Sequence, residues 1–221
     1  SNDPFASCPA KPHIRTERCV THIMENLQTD HRNMSVLLDV VEQEISVYSA
    51  GNTPDFETLT CILEYCVDYP DNYHHPKEEA IARRLILRDP SHAATLDSLS
   101  SEHTEIEALT KQFADQIAQA IAEPGSFNKS VVEYCRKFTA IYRAHMKNEE
   151  AVLFVLAVET LTDDDWNSIN TTCAQRPDPL FNDHIQDAYR ALHQRIVQRV
   201  QKAQASLASP SSPPESLNRA C

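Results

Sequence analysis

Two short segments decide the fold of this chain: HHPKEE at residues 74–79 and HMKNEE at residues 145–150. The second matches the first at an offset of 71 residues, and each contains a histidine followed four positions later by a glutamate. These pairs are His74 with Glu78 and His145 with Glu149. Residues four apart lie one turn from each other on the same helix face. Each segment therefore places an imidazole and a carboxylate side by side on a helix.

A second pair of segments repeats in the same way. His31 and His103 are 72 residues apart, and both have apolar residues at −7, −4, +3, +10 and +14. These positions form one face of a helix, so each histidine lies in the middle of a core stripe. The His-x-x-x-Glu pairs lie in apolar stripes too. The chain is thus two copies of one unit, with a histidine on its first helix and His-x-x-x-Glu on its second.

The local signals predict four long helices. Only two glycines occur in 221 residues, which suits helices because glycine weakens their interiors. Proline and capping residues mark the boundaries. The predicted helices run from about Thr16 to Tyr48, from Thr53-Pro54 to Arg88 with a kink or break near His74, from Asp89-Pro90 to Glu123, and over 127–160. Short connections favour antiparallel neighbours, so we expect an all-α, up-down-up-down antiparallel four-helix bundle with two extra C-terminal helices.

The composition predicts four regions along the chain. Residues 1–15 form an irregular N-terminal segment, and residues 16–160 form the bundle. Residues 161–205 form a C-terminal helical extension, whose first helix begins at Thr162 with Asp165 completing a capping box. Its second helix runs from about Asn182 to Ala205. Residues 206–221 are a Ser/Pro-rich tail that we expect to be disordered.

Six ionisable side chains fall on inward faces at about the same depth. They are His31, His74, Glu78, His103, His145 and Glu149. Buried carboxylates are costly and repel each other, and no lysine or arginine shares these stripes to neutralise them. Divalent cations would neutralise both. Six ligands exceed a tetrahedral zinc site, so two metal ions bridged by the glutamates fit better. Imidazole and carboxylate suit iron, with manganese and zinc as alternatives.

The choice of register beside Pro76 is less direct, because His75 with Glu79 has the same spacing as His74 with Glu78. Positions one, two and three turns before His74 are mainly apolar, whereas those before His75 are polar, which favours His74 and Glu78. The analysis of faces leaves His75, Glu79 and Glu150 as supporting or surface residues. Four tyrosines are near enough in pattern for one to reach the site: Tyr48, Tyr73, Tyr134 and Tyr142.

Charge and cysteine usage limit the partners and the compartment. The net charge of −12 disfavours binding to nucleic acid and to anionic membrane surfaces. No apolar run reaches the roughly 20 residues of a membrane span, and no export signal is evident. The seven cysteines have irregular spacing without a Cys-x-x-Cys motif, which favours reduced thiols in a cytoplasmic protein.

Four segments, taken together with their spacing, resemble the hemerythrin-like (HHE cation-binding) domain family over roughly residues 20–160. The matching stretches are Asp30-His31, residues 74–79, Glu102-His103 and residues 145–150. The resemblance implies a four-helix bundle that holds a non-haem di-iron centre with carboxylate and oxo or hydroxo bridges. Oxygen-carrying members use five histidines and two carboxylates. The set of four histidines and two glutamates is more similar to the repair and stress-response branch.

The function expected from this resemblance is the binding or sensing of O₂, NO or peroxide at a di-iron site. A di-iron redox enzyme that consumes peroxide or oxidises iron is one alternative. Repair of iron–sulfur clusters or donation of iron is another, and a metal-stabilised interaction module with the C-terminal helices as its partner surface is a third. Homodimer formation is left open.

Overall fold

The computed structural model describes residues 13–123, 128–173, 178–181 and 189–198, with side chains from residue 22 onward. This part of the chain is helical and contains no strand, in agreement with the predicted all-α class. The α-helices are α1 (His13–Ser49), α2 (Phe56–Tyr69), α3 (His75–Arg88), α4 (Ala93–Ala122), α5 (Lys129–Asn148), α6 (Phe154–Thr160) and α7 (Asp163–Thr172). Residues 190–198 are also helical. Most of the predicted N-terminal segment and the whole tail lie outside the described residues.

Two of the four long helical segments are interrupted by π-helical turns. Pro70–His74 joins α2 to α3, and Glu149–Leu153 joins α5 to α6. The backbone remains right-handed helical through both turns, and each closes with a bond from residue i+5 to residue i. The expected kink or break near His74 is therefore a π turn within a continuing helix. One inserted residue rotates the following side chains by about 100° relative to an uninterrupted α-helix.

The ends of α1 and α2 follow from local hydrogen bonds. Gly51 has φ +82° and ends α1 in a Schellman motif, in which the Asn52 N–H donates to the Val47 carbonyl at 3.2 Å. The predicted cap at Thr53 was wrong, because α2 begins later, at Phe56. Asp55 is its N-cap, and its carboxylate accepts from the Thr58 N–H at 3.0 Å.

Two of the other predicted helix starts agree with the structure, whereas α1 begins at His13 rather than at Thr16, and the predicted start at Asn182 lies outside the described residues. Asp89 caps a 3₁₀ turn, Pro90–His92, that leads directly into α4. The capping box of Thr162 and Asp165 is present at the start of α7. Asp165 also accepts from Arg88 Nε at 2.8 Å, which ties α7 to the end of α3.

The apolar core consists of two clusters at different heights. The first includes Leu37, Leu63, Phe113 and Phe138, and the second includes Leu27, Ile81, Leu85, Leu96 and Trp166. All four long helical segments contribute to both clusters. Helix α4 packs along α5 and α2, and α1 packs along α5 and α7. The interval between the clusters contains the predicted histidines and glutamates, so the fold brings them to one level.

None of the described helices combines the length and the hydropathy that a membrane crossing requires.

Candidate metal centre

The structure brings all six predicted residues together in the interval between the two core clusters. Each of the six side chains is buried, and Glu78 and Glu149 are both only 1% exposed. His31 comes from α1 and His103 from α4. The two His-x-x-x-Glu pairs lie at the π turns, where His74 ends the first turn and Glu149 begins the second.

Glu78 faces histidines on two sides. Its Oε1 lies 3.2 Å from His74 Nε2 and 3.5 Å from His31 Nε2. Its Oε2 lies 3.6 Å from His103 Nε2. The two oxygens of this carboxylate are therefore directed at two different groups of imidazoles.

Glu149 also faces histidines on two sides. Its Oε2 lies 3.4 Å from His31 Nε2, whereas its Oε1 lies 3.1 Å from His103 Nε2 and 3.0 Å from His145 Nε2. Both carboxylates thus lie between a group containing His31 and a group containing His103. This is the placement that a bridging carboxylate requires.

His75 also belongs to the centre, which the analysis of helix faces did not foresee. Its side chain is 6% exposed, and its ring stacks on His103 with 3.9 Å between centroids. Of the two positions left open for His75, the surface one was wrong, because it assumed uninterrupted α-helical periodicity across Pro70. The π turn brings both adjacent histidines to the interior. Glu79 remains at the surface and pairs with Arg83 at 2.8 Å.

The ligand atoms fall into two groups. One consists of His75, His103 and His145, and the other consists of His31, His74, Glu78 and Glu149. Within each group the candidate ligand atoms lie within 4.8 Å of one another. The centre is therefore asymmetric in its histidines, with three on one side and two on the other, although the underlying sequence repeat is nearly symmetric.

Carboxylates outside the centre orient four of the five histidines. The Nδ1 atoms of these histidines lie 2.8 to 3.1 Å from a carboxylate oxygen: His31 from Glu150, His74 from Asp30, His75 from Asp71 and His145 from Glu102. An Nδ1–H donated to a carboxylate leaves the Nε2 lone pair free and makes it more basic. The sequence did not predict these pairs, although Asp30 and Glu102 occupy equivalent positions in the repeat.

The two copies of the repeat differ at His103, the one histidine of the five that no outer carboxylate orients among the described residues. Glu150 accepts from His31, but the equivalent residue Glu79 does not reach His103. His103 Nδ1 is buried without a hydrogen-bond partner among the described residues. The ring of His75 lies against His103 instead. The asymmetry of the histidines and the missing outer carboxylate therefore occur at the same place.

Two of the histidines hold a proton more tightly than a free histidine does. Burial lowers the pKa of His31, but the nearby carboxylates of Glu149 and Glu78 outweigh it and raise this pKa to about 9. Burial likewise lowers the pKa of His74, and the charge of Glu78 and the hydrogen bond with Asp30 raise it to about 10. Burial has the larger effect at His75, whose pKa is lowered. The cluster thus combines anionic glutamates with proton-binding histidines.

Several polar atoms of the centre have no hydrogen-bond partner among the described residues. Both oxygens of Glu78, Glu149 Oε2 and His145 Nε2 are buried without a hydrogen bond in the described structure. The nearby nitrogens approach these oxygens without hydrogen-bond geometry, and such atoms cost free energy when they are buried. Among the described residues, the two glutamates form ion pairs with histidines and not with lysine or arginine. Divalent cations would satisfy this donor set, so the residues fit a metal centre.

A small cavity of about 10 Å³ adjoins the centre. Four of the histidines and Glu149 form one part of its wall, and Tyr65, Tyr69 and Tyr142 form another. Of the four tyrosines considered from the sequence, only Tyr142 lines this cavity. Tyr48 instead accepts from the Asn128 N–H at 2.8 Å. The four-residue spacing of Tyr65, Tyr69 and Tyr73, ending next to His74, was the signal that could have identified the other two.

Comparison with known proteins gives one match. The family model described as the hemerythrin HHE cation-binding domain matches residues 22–157. No curated protein and no solved structure matches the chain significantly. The matched range contains all five histidines and both glutamates of the centre.

The raised histidine pKa values predict how the metal-free protein responds to pH. With folded-state pKa values of about 9 for His31 and about 10 for His74, against an ordinary 6.5, their stabilisation is complete below pH 6.5. It is lost as the pH rises through those values. Urea unfolding of the metal-free protein should therefore show falling stability from pH 7 to pH 10. The variant His31→Gln should show a weaker fall, and His22→Gln, at an exposed site, should match the parent. Stability that is flat or rising with pH would contradict this assignment.

Proposed function

Because the chain belongs to the hemerythrin HHE cation-binding domain family, we propose that it binds two iron ions at this centre and uses them to bind or sense O₂, NO or peroxide. The proposal includes an up-down-up-down order of the four long helical segments. The short connections and the packing of α4 along α5 support that order. Manganese and zinc are the other ions that this donor set accepts.

The observation that carries the proposal is the position of Glu78 and Glu149 between two groups of histidines. Each carboxylate directs one oxygen at each group. A single ion would need only one of these groups and would leave the other glutamate oxygens buried and unsatisfied. Two ions neutralise both carboxylates, because each carboxylate can bridge the pair.

The five histidines refine which family pattern the chain follows. The sequence repeat gave four histidines, one fewer than the oxygen-carrying hemerythrins have. With His75 the set becomes five histidines and two carboxylates, which supports O₂ or a related small molecule as the ligand. The group of His31 and His74 offers one imidazole fewer than the other group, so an ion there would retain more room for an exogenous ligand.

The surroundings favour a small ligand. The adjoining cavity, at about 10 Å³, has room for about one water-sized molecule and none for an organic ligand. Bound iron would supply reversible electron transfer to such a molecule. The chain itself contributes orientation: Asp30, Asp71 and Glu150 each accept from a histidine Nδ1, and the histidine Nε2 atoms are thereby presented to the centre.

We also place the protein in a reducing compartment such as the cytoplasm. The four described cysteines, Cys61, Cys66, Cys135 and Cys173, are free thiols. Burial raises the pKa of the Cys66 thiol, which makes it less reactive. Cytoplasmic location remains part of the proposal.

Anaerobic reconstitution with Fe(II), followed by exposure to O₂, NO or hydrogen peroxide, tests this function. We expect two iron ions per chain and a new ligand-to-metal absorption band after exposure. Glu149→Gln and His31→Ala should lower the iron content, because each removes a ligand from the buried set. His22→Ala provides the control, since His22 is exposed and distant from the centre in sequence. Repeated turnover of peroxide or Fe(II) would indicate an enzyme rather than a binding or sensing protein.

Two outcomes would contradict the proposal. One is an absence of iron uptake under these conditions. The other is an iron content that stays the same in Glu149→Gln and His31→Ala, which would place the iron elsewhere.

Glu150 and Glu79 provide a matched test of the outer carboxylates. They hold equivalent positions in the repeat, yet Glu150 accepts from His31 at 3.0 Å whereas Glu79 pairs with Arg83. Glu150→Gln should weaken metal binding by about 10- to 100-fold, as is typical for the loss of a carboxylate that orients a ligand histidine. Glu79→Gln should leave the affinity near that of the parent. Affinities can be compared by competition with a chelator, and equal effects of the two variants would refute the asymmetry.

A further inference from the structure

A row of tyrosines runs away from the centre along the second long helix. Tyr65, Tyr69 and Tyr73 are spaced four residues apart, and the last directly precedes His74. The rings of Tyr65 and Tyr69 stack with 5.4 Å between centroids and 14° between planes. Tyr189 meets Tyr65 edge-on at 5.8 Å. Tyr65 and Tyr69 are almost fully buried, whereas Tyr189 is partly exposed.

One carboxylate links this row to the centre. The Tyr69 hydroxyl donates to Asp30 Oδ1 at 3.2 Å, and His74 Nδ1 lies 3.0 Å from Asp30 Oδ2. A candidate ligand histidine is therefore connected to Tyr69 through a single side chain. Tyr69 also lines the cavity beside the centre.

The next tyrosine has a carboxylate partner of its own. The Tyr65 hydroxyl donates to Asp178 Oδ2 at 2.9 Å, within the buried core. Asp178 also accepts from Asn33 and from the Leu180 N–H, so its position is fixed. Two successive buried tyrosines therefore each have a base in hydrogen-bond contact with the phenol.

This pairing has a specific chemical consequence. A phenol that loses one electron becomes a strong acid, so it is oxidised readily only where its proton can leave at the same time. Burial raises the pKa of both the Tyr65 and the Tyr69 phenols, so loss of the proton alone is disfavoured. A hydrogen-bonded carboxylate permits the electron and the proton to leave together. Phenylalanine would fill the same space without burying a hydroxyl, which is costly unless it is paired.

We infer that Tyr69, Tyr65 and Tyr189 form a path along which one-electron oxidising equivalents leave the metal centre for the protein surface. The inference rests on the proposed function, with a peroxide as the oxidant. It adds an electron-transfer role to the ligand binding proposed above, and the reductant at the surface is a soluble one-electron donor of the ascorbate class.

Each step conserves electrons and protons. Tyr69 gives an electron to the oxidised centre, and its phenolic proton moves to Asp30. Tyr65 then gives an electron to the Tyr69 radical, which recovers its proton from Asp30, while the Tyr65 proton moves to Asp178. Tyr189 restores Tyr65 in the same way, with the proton returning from Asp178, and its own proton passes to solvent. The donor finally returns one electron and one proton to Tyr189. Reduction of one hydrogen peroxide to two waters takes two electrons, so it uses the path twice. It also takes two protons, which the centre takes up from solvent while Tyr189 releases the same number.

Rapid-freeze electron paramagnetic resonance of the iron-loaded protein mixed with hydrogen peroxide tests this path. The parent should show a tyrosyl radical that ascorbate removes. Tyr69→Phe should lose this signal, and Tyr65→Phe should keep it but slow its removal by ascorbate. Tyr142→Phe is the matched control, because Tyr142 is equally buried and lines the same cavity but packs against Phe138. It should keep the tyrosyl radical and its removal by ascorbate.

Mass-spectrometric mapping of oxidised residues provides a second readout that does not depend on turnover. Blocking the path should leave oxidising equivalents at the centre, so Tyr69→Phe and Tyr65→Phe should accumulate oxidation at Met34 and Met146 in the cavity wall. The Tyr142→Phe control should not. The Tyr65 hydroxyl donates to Asp178, whereas that of Tyr69 donates to Asp30, so Tyr65→Phe tests the path even if Tyr69→Phe binds iron poorly.

The possible failures are distinguishable. If iron binds and peroxide changes its absorption, but no tyrosyl radical forms and the oxidation maps of all variants agree, the path is refuted while the proposed function stands. A radical that is lost in Tyr142→Phe and kept in Tyr69→Phe would refute it as well. If iron does not bind, or peroxide leaves its absorption unchanged, the proposed function itself fails and the inference fails with it.

Discussion

Two carboxylates, Glu78 and Glu149, lie side by side at the middle of a helical core, each only 1% exposed. Like charges in such a place repel each other and lose their hydration, so the fold can keep them only with compensating groups around them. The neighbouring carboxylates raise the pKa of His31 and of His74, so these histidines can supply protons when no metal is bound. Several donor and acceptor atoms nevertheless remain unsatisfied. Two divalent ions would satisfy these remaining atoms. Their binding would then release the protons from the histidines.

The π turns determine how this compensation is built from a duplicated sequence. The two copies share the histidine of the first helix, the His-x-x-x-Glu of the second and the acid before the first histidine. They differ at the position after the second histidine, because one copy has His75 there, buried beside His103 at the end of the π turn that Pro70 opens. At the equivalent position the other copy has Met146, in the wall of the cavity. A nearly symmetric repeat thus produces a centre with three histidines on one side and two on the other.

Helical periodicity was sufficient to predict the all-α class, the level of the site and the six residues that the structure brings together there. It could do so because the stripes around His31, His103 and His145 continue without interruption. It failed at His75, since tracing faces across Pro70 assumed a constant α-helical turn. It did not identify Asp30, Asp71 and Glu102, which become partners of histidines only through contacts between helices or between turns of one helix. It left Glu150 as a supporting or surface residue, and the contact with His31 decides for the supporting role. The path of tyrosines depends on Tyr189 and Asp178, far away in the sequence from the helix that they meet.

The central claim is that two ions occupy the space between Glu78 and Glu149. Anomalous diffraction at the iron absorption edge, from crystals of the iron-loaded protein, measures this most directly. We predict two peaks flanked by Glu78 and Glu149, one beside His31 and His74 and the other beside His75, His103 and His145. A single peak, a peak away from the glutamates, or a His75 side chain turned out of the centre would contradict the account.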